Sequence, residues 1–163
     1  MTQTNTNDAL VMERTFDGAP VDLIWQMWTD PHHFASWYGP NGATISSANI
    51  DLTVGGKRQI CMEMQGPNGA MQMWFTGEHR EIVSNQRLVY TEAMTDRDGN
   101  LLPSEATGMP KGHDVTEVTV ELEHTGNGTK LTLTHAGIPA DSPGAMGWQM
   151  ALDKLANFIE SRG

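Results

Sequence analysis

The sequence predicts an α+β fold: a seven-stranded antiparallel sheet curled around a long C-terminal helix, with two short helices after the first strand. Three observations predict it. Residues 44–136 alternate with period two and are broken at short intervals by Gly, Pro and Asn, as in an antiparallel meander. A 3.6-residue period returns after Pro139, where Trp148, Leu152, Leu155 and Ile159 share one face. Apolar residues are 38% of a 163-residue chain, which suits one packed core.

Residues 1–9 are polar and aperiodic and read as a disordered tail, leaving 10–163 as a single domain. Leu10–Phe16 reads as the first strand. Pro20 then opens a helix in which Val21, Ile24, Trp25 and Trp28 line one face. Asp30 and Pro31 supply a cap and a first-turn proline for a second helix that ends near Trp37, before Gly39 and Pro40. Strands follow at Thr44–Val54, Lys57–Gln65, Ala70–Ile82, Arg87–Thr95, Val115–His124 and Thr129–Ala136. Gly55-Gly56, Pro67-Asn68-Gly69, Ser84-Asn85 and Asn127-Gly128 mark turns between them, the last pair being tolerant of positive φ. Ser142-Pro143 caps the terminal helix.

Side chains alternate across a strand, so the apolar face shows which polar residues point inward. Ile60, Met62 and Met64 carry Arg58 with them. Met71, Met73 and Phe75 lead on to His79. Leu88, Tyr90 and Met94 bring Glu92, and Leu131 and Leu133 bring His135, while Val115–His124 contributes only Val118, Val120 and Leu122. Ionisable groups on an inner face must pair, stay wet or meet a ligand. One reading is an internal Arg58–Glu92 ion pair with His79 and His135 hydrogen-bonded in the core; a one-residue bulge would turn any of them outward. The other is a cavity with a few polar groups in an apolar lining. On that reading Arg58, Ile60, Met62, Met64, Met73, Phe75, His79, Tyr90, Glu92, His135, Trp148 and Leu152 line a ligand site, and His79, Glu92 and His135 are the catalytic candidates. The 11 methionines suit an adaptable lining as well as ordinary gap filling.

Other chemistry finds little support. Twenty acidic against ten basic residues give a net charge of −10, which repels nucleic acid and anionic membranes. Cys61 is the only cysteine, so no internal disulfide and no cysteine zinc site is expected. The histidines, His32-His33, His113 and His124 included, lack metal-ligand spacing, and no nucleotide-loop or nucleophile-elbow motif occurs, so neither metal nor cofactor is expected. Asp96–Asn100 starts like a calcium loop but lacks its closing Glu and reads as a turn. The segment Asp96–Gly112 is long enough for a lid, with Met109 available to descend on a pocket, or for a plain connector. No apolar run reaches 18 residues and no signal-peptide pattern opens the chain, which suggests a cytoplasmic protein without membrane insertion.

The segments RTFDGAPVDLIWQMWTDPHHFASWYGPNG, DLTVGGKRQI, GEHREI, RLVYTEAM and LTLTHAGIPADSPGAMGWQMALDKLANFIES resemble the bacterial homologues of the activator of heat-shock protein 90 ATPase. That family lies in the START-like (SRPBCC) superfamily, which includes the birch pollen allergen. The resemblance spans Val11 to Ser161 and implies a helix-grip fold with a cavity between sheet and terminal helix. Trp37, Gly39 and Pro40, the pair Gly55-Gly56, and Gly147-Trp148 with Leu152 and Leu155 match its fold-defining positions. Arg58 stands where an aromatic residue is common, and His79 where an aromatic or aliphatic one is. Both make the implied cavity more polar, with Arg58 suited to a carboxylate. The expected function is binding or carriage of a small hydrophobic or amphipathic ligand. An enzyme of cyclase, hydratase or lyase type is the alternative, with Arg58 steadying developing negative charge. A co-chaperone role comes third, since nothing resembles the chaperone-engaging amino-terminal domain of the eukaryotic activator. A homodimer stays open.

Overall fold

A computed structural model of the chain describes residues 9–39, 42–67, 69–102, 115–136 and 143–162. The elements are β1 (Ala9–Asp17), α1 (Val21–Thr29), α2 (Pro31–Trp37), β2 (Thr44–Ile50), β3 (Lys57–Gly66), β4 (Gly69–Val83), β5 (Arg87–Thr95), β6 (Val115–His124), β7 (Gly128–Ala136) and α3 (Pro143–Arg162). All seven strands form one antiparallel sheet in the order β1-β7-β6-β5-β4-β3-β2. The sheet curls into a half-barrel, and α1, α2 and α3 pack inside the curl: a START-like, helix-grip arrangement.

Local chemistry sets the entry to the sheet. Asp30 ends α1 by donating its N–H to Gln26 O at 2.9 Å and caps α2 by accepting the His32 N–H on Oδ1 at 2.9 Å. The chain therefore turns at one residue. Between the two helices Trp28, Phe34 and Trp37 meet at ring separations of 4.8–6.3 Å. Trp148 of α3 stacks on Trp28 at 5.8 Å, so the terminal helix closes over the same aromatic group. Ala151, Leu152 and Leu155 bury the rest of its inner face. Lys154 donates to Gly39 O at 3.0 Å, tying α3 to the end of α2, and Arg14 of β1 pairs with Asp153 at 2.8 Å.

Several boundaries differ from the sequence reading. β2 ends at Ile50 rather than Val54, because Asp51–Gly56 folds into a turn: Asp51 N donates to Lys57 O, Gly56 N donates to Thr53 O, and Gly55 takes a φ of +84°. A bulge at Ser46 changes the parity of β2, which brings Ile45, Ala48 and Ile50 against the core. At Thr125–Gly128 the hairpin uses no positive φ. Gly128 serves another purpose: a Cβ there would lie 2.1 Å from Phe16 O, so glycine admits the close approach of β1. Met71 lies at the exposed β3–β4 hairpin rather than in the interior. Asp96–Asn100 is a turn, with Asp96 Oδ1 accepting from the N–H of Asp98 and of Asn100. Those hydrogen bonds from Asn100 hold the Asp96 carboxyl below its usual pKa. Residues 1–8, Pro40, Asn68, Met109 with the rest of 103–114, Pro139 and Ser142 lie outside the described residues.

Candidate functional site

The inner face carries its polar residues because each sits in phase with apolar neighbours. Register aligns His79, Tyr90, Val118, His135 and Leu10 in one rung across β4, β5, β6, β7 and β1. The bulge in β4 falls at Arg80, after His79, so it does not turn that ring outward. His79 and His135 are three strands apart, about 14 Å along the sheet at about 4.8 Å per strand. The two histidines do not converge.

Arg58, His79 and Tyr90 form one group. Arg58 pairs in register with Gly77, which has no side chain, and its guanidinium reaches across to lie 3.6 Å over the Tyr90 ring. The Phe34 ring of α2 also faces it, with its centroid 5.2 Å from Arg58 Cζ. The His79 ring meets the edge of Tyr90 at 6.4 Å. All three side chains are closed off from solvent, with relative exposures of 3%, 1% and 0% for Arg58, His79 and Tyr90. Their polar atoms are not all used. Arg58 Nη1 and Nη2, His79 Nε2 and Tyr90 Oη find no hydrogen-bond partner among the described residues. No ion pair joins Arg58 to Glu92 there.

His79 is anchored by main chain. Its backbone N–H donates to Gly56 O at 2.9 Å, its carbonyl accepts from Gly55 N at 2.8 Å, and its Nδ1 lies 3.2 Å from Gly56 O. A carbonyl oxygen only accepts, so Nδ1 carries the hydrogen and Nε2 is a bare acceptor. Burial, reinforced by the Arg58 cation, lowers the His79 pKa and keeps the ring neutral. Burial likewise raises the Tyr90 phenol well above its ordinary range, against the pull of Arg58.

Glu92, His135 and Trp148 belong to a second group, in which the hydrogen bonds close. Trp148 Nε1–H donates to His135 Nδ1 at 2.9 Å. His135 Nε2–H therefore donates to Thr116 Oγ1 at 2.7 Å, and Thr116 passes its own hydrogen to Glu92 O at 3.2 Å. Tyr38 Oη donates to Glu92 Oε2 at 3.0 Å, and Glu92 Oε1 stands 3.9 Å from His135 Nε2. Burial lowers the His135 pKa, with Glu92 opposing, and burial then Glu92 raise that of Tyr38. Both ring nitrogens of His135 are occupied. Tyr38 stacks on Phe34 at 4.4 Å and so joins the two groups.

Among the other predicted lining residues, Ile60, Met62 and Leu152 are buried in the core, while Met64, Met73 and Phe75 are only half-buried. The inner face is thus closed around Arg58 and more open toward the β3–β4 hairpin. Among the described residues, no group of three or more His, Cys, Asp or Glu stands close enough to hold a metal ion. No described helix is long and apolar enough to cross a membrane.

The sequence model for the activator of Hsp90 ATPase homolog 1-like protein matches residues 18–160, which include both groups. The chain belongs to that family. Solved structures carry the same architecture as this Hsp90-ATPase-activator-like chain. A Chromobacterium violaceum protein is 26% identical with a TM-score of 0.74, covering 94% of this chain and 97% of its own. A Staphylococcus epidermidis protein is 20% identical with a TM-score of 0.75, covering 100% and 96%. An AHSA1-like protein from Aeromonas hydrophila is 23% identical with a TM-score of 0.69, covering 95% and 94%. The last two likenesses speak to fold alone. No curated protein matches the chain.

Sequence reasoning missed Phe34, Tyr38 and Thr116. Thr116 had a signal, standing two residues before Val118 on the same strand face. Phe34 and Tyr38 had none, since a seven-residue helix and its C-cap show too little periodicity to indicate which residue meets Arg58, 24 positions on from Phe34, or Glu92, 54 positions on from Tyr38.

Proposed function

We propose that the protein binds a small amphipathic ligand with a carboxylate head seated on Arg58 beneath the α2–α3 cover. One observation carries this reading: a guanidinium only 3% exposed has Nη1 and Nη2 without partners among the described residues. Arginine stays charged, and the faces of Tyr90 and Phe34 offset only part of the several kcal/mol that burying such a charge without an anion costs. Native interiors rarely leave such donors unused. A carboxylate supplies both the counter-charge and the acceptors, in the fork geometry guanidinium prefers. The half-buried Met64, Met73 and Phe75 provide apolar surface for the rest of the molecule. Calorimetric titration with octanoate and with octan-1-ol tests it. Octanoate should bind at least tenfold tighter, and Arg58→Met should remove that difference; equal affinities in the wild type would defeat the reading.

An enzymatic reading draws on a single observation, the unpartnered His79 Nε2 beside a cation. His135 lends it nothing, because both of its nitrogens are engaged.

A further inference from the structure

The unused atoms around Tyr90 differ in kind, and that difference narrows the ligand. Arg58 Nη1 and Nη2 can only donate, the Tyr90 hydroxyl can donate or accept, and His79 Nε2 can only accept, since Nδ1 commits its hydrogen to Gly56 O. A simple carboxylate satisfies the guanidinium and the phenol yet offers nothing to His79, whose lone pair would face an anion. Rotating the ring to expose a donor would break the bond to Gly56, a residue fastened to the His79 main chain through both its own carbonyl and its neighbour's N–H. Arg58 and His79 both lie against the Tyr90 ring, at 3.6 Å and 6.4 Å from its centroid, which places the two sets of unused atoms beside one residue.

Resting on the carboxylate seat at Arg58, we propose that the site selects acids bearing a hydroxyl on the carbon next to the carboxylate, with His79 Nε2 accepting the hydroxyl hydrogen. A buried acceptor left unpaired by the analogue without the hydroxyl is what makes such discrimination large.

The test titrates the full chain at neutral pH with two matched pairs, 2-hydroxyoctanoate against octanoate and mandelate against phenylacetate. Each hydroxy acid should bind about tenfold tighter than its partner, a gap of about 1.4 kcal/mol. His79→Phe should bring the ratio to about one, and Arg58→Met should weaken all four. Equal binding of hydroxy and plain acids in the wild type, with both weakened by Arg58→Met, overturns the selectivity and spares the seat. Failure of all four acids to bind, or indifference to Arg58→Met, overturns the seat and the selectivity with it. Nitrogen-15 shifts of the imidazole in the unmutated protein give a check that needs no variant: Nε2 should be the unprotonated nitrogen and should move with the hydroxy acids only. A protonated Nε2 in the free protein would overturn the proposal.

Discussion

His79 and His135 are buried histidines that solve the same problem differently. His135 has a donor on one side and an acceptor on the other, whereas the His79 ring has the Gly56 carbonyl at Nδ1, with Asp51 acting on it as well. Both have pKa values lowered by burial, so the unfolded chain takes up their protons first as pH falls. Stability contributed by the neutral rings is therefore complete above the ordinary histidine pKa of about 6.5 and is lost as pH falls from there through the folded values. Urea unfolding at pH 7.5 and pH 5 should show lower stability at the acid value, with a shallower decline in the His79→Phe and His135→Phe variants. An unchanged decline would remove the histidines from the account. At pH 7.5, His135→Phe should also cost about 1–3 kcal/mol, because it leaves the Trp148 indole N–H and the Thr116 hydroxyl without their buried partner.

Among the elements, the Asp51–Gly56 turn and the α1–α2 corner bear most directly on the site. A Cβ at Gly56 would stand 2.4 Å from Asp51 O, so Gly56→Ala must shift the turn that holds His79; a loss of about 1–3 kcal/mol in chemical denaturation is expected. Asp30→Ala removes the cap of α2 and should cost about 1 kcal/mol, tilting Phe34 and Tyr38 away from the sheet. Weakened octanoate binding in that variant would accompany the loss. The elements themselves were legible in the sequence, because period two and period 3.6 are written in runs such as Lys57–Gln65 and Trp148–Ile159. What could not be read was decided by contacts distant in the chain. The end of β2 depends on Asp51 folding back, and the need for Gly128 comes from the Phe16 carbonyl. Within the site, strand alternation pointed to Arg58, His79, Tyr90 and Glu92. It did not reveal that Arg58 would lie on Tyr90 rather than reach Glu92, which depends on the bare Gly77 across from it and on Phe34 from α2.

Over the whole molecule, a net charge of −10 surrounds a site whose inferred ligand is also an anion. Approach is therefore opposed by the long-range field even where binding at Arg58 is favoured. Raising sodium chloride from low to moderate concentration should speed association of 2-hydroxyoctanoate, as screening removes the repulsion, and stopped-flow measurements would read it. Slower association would indicate a local cationic entrance that overrides the global charge.

The grip of Gly55 and Gly56 on His79 has a broader implication. Which of the two imidazole nitrogens holds hydrogen is set by a main-chain carbonyl rather than by a side-chain partner, so the ring's polarity is tied to the path of the backbone. Inverting it would require rerouting the glycine turn.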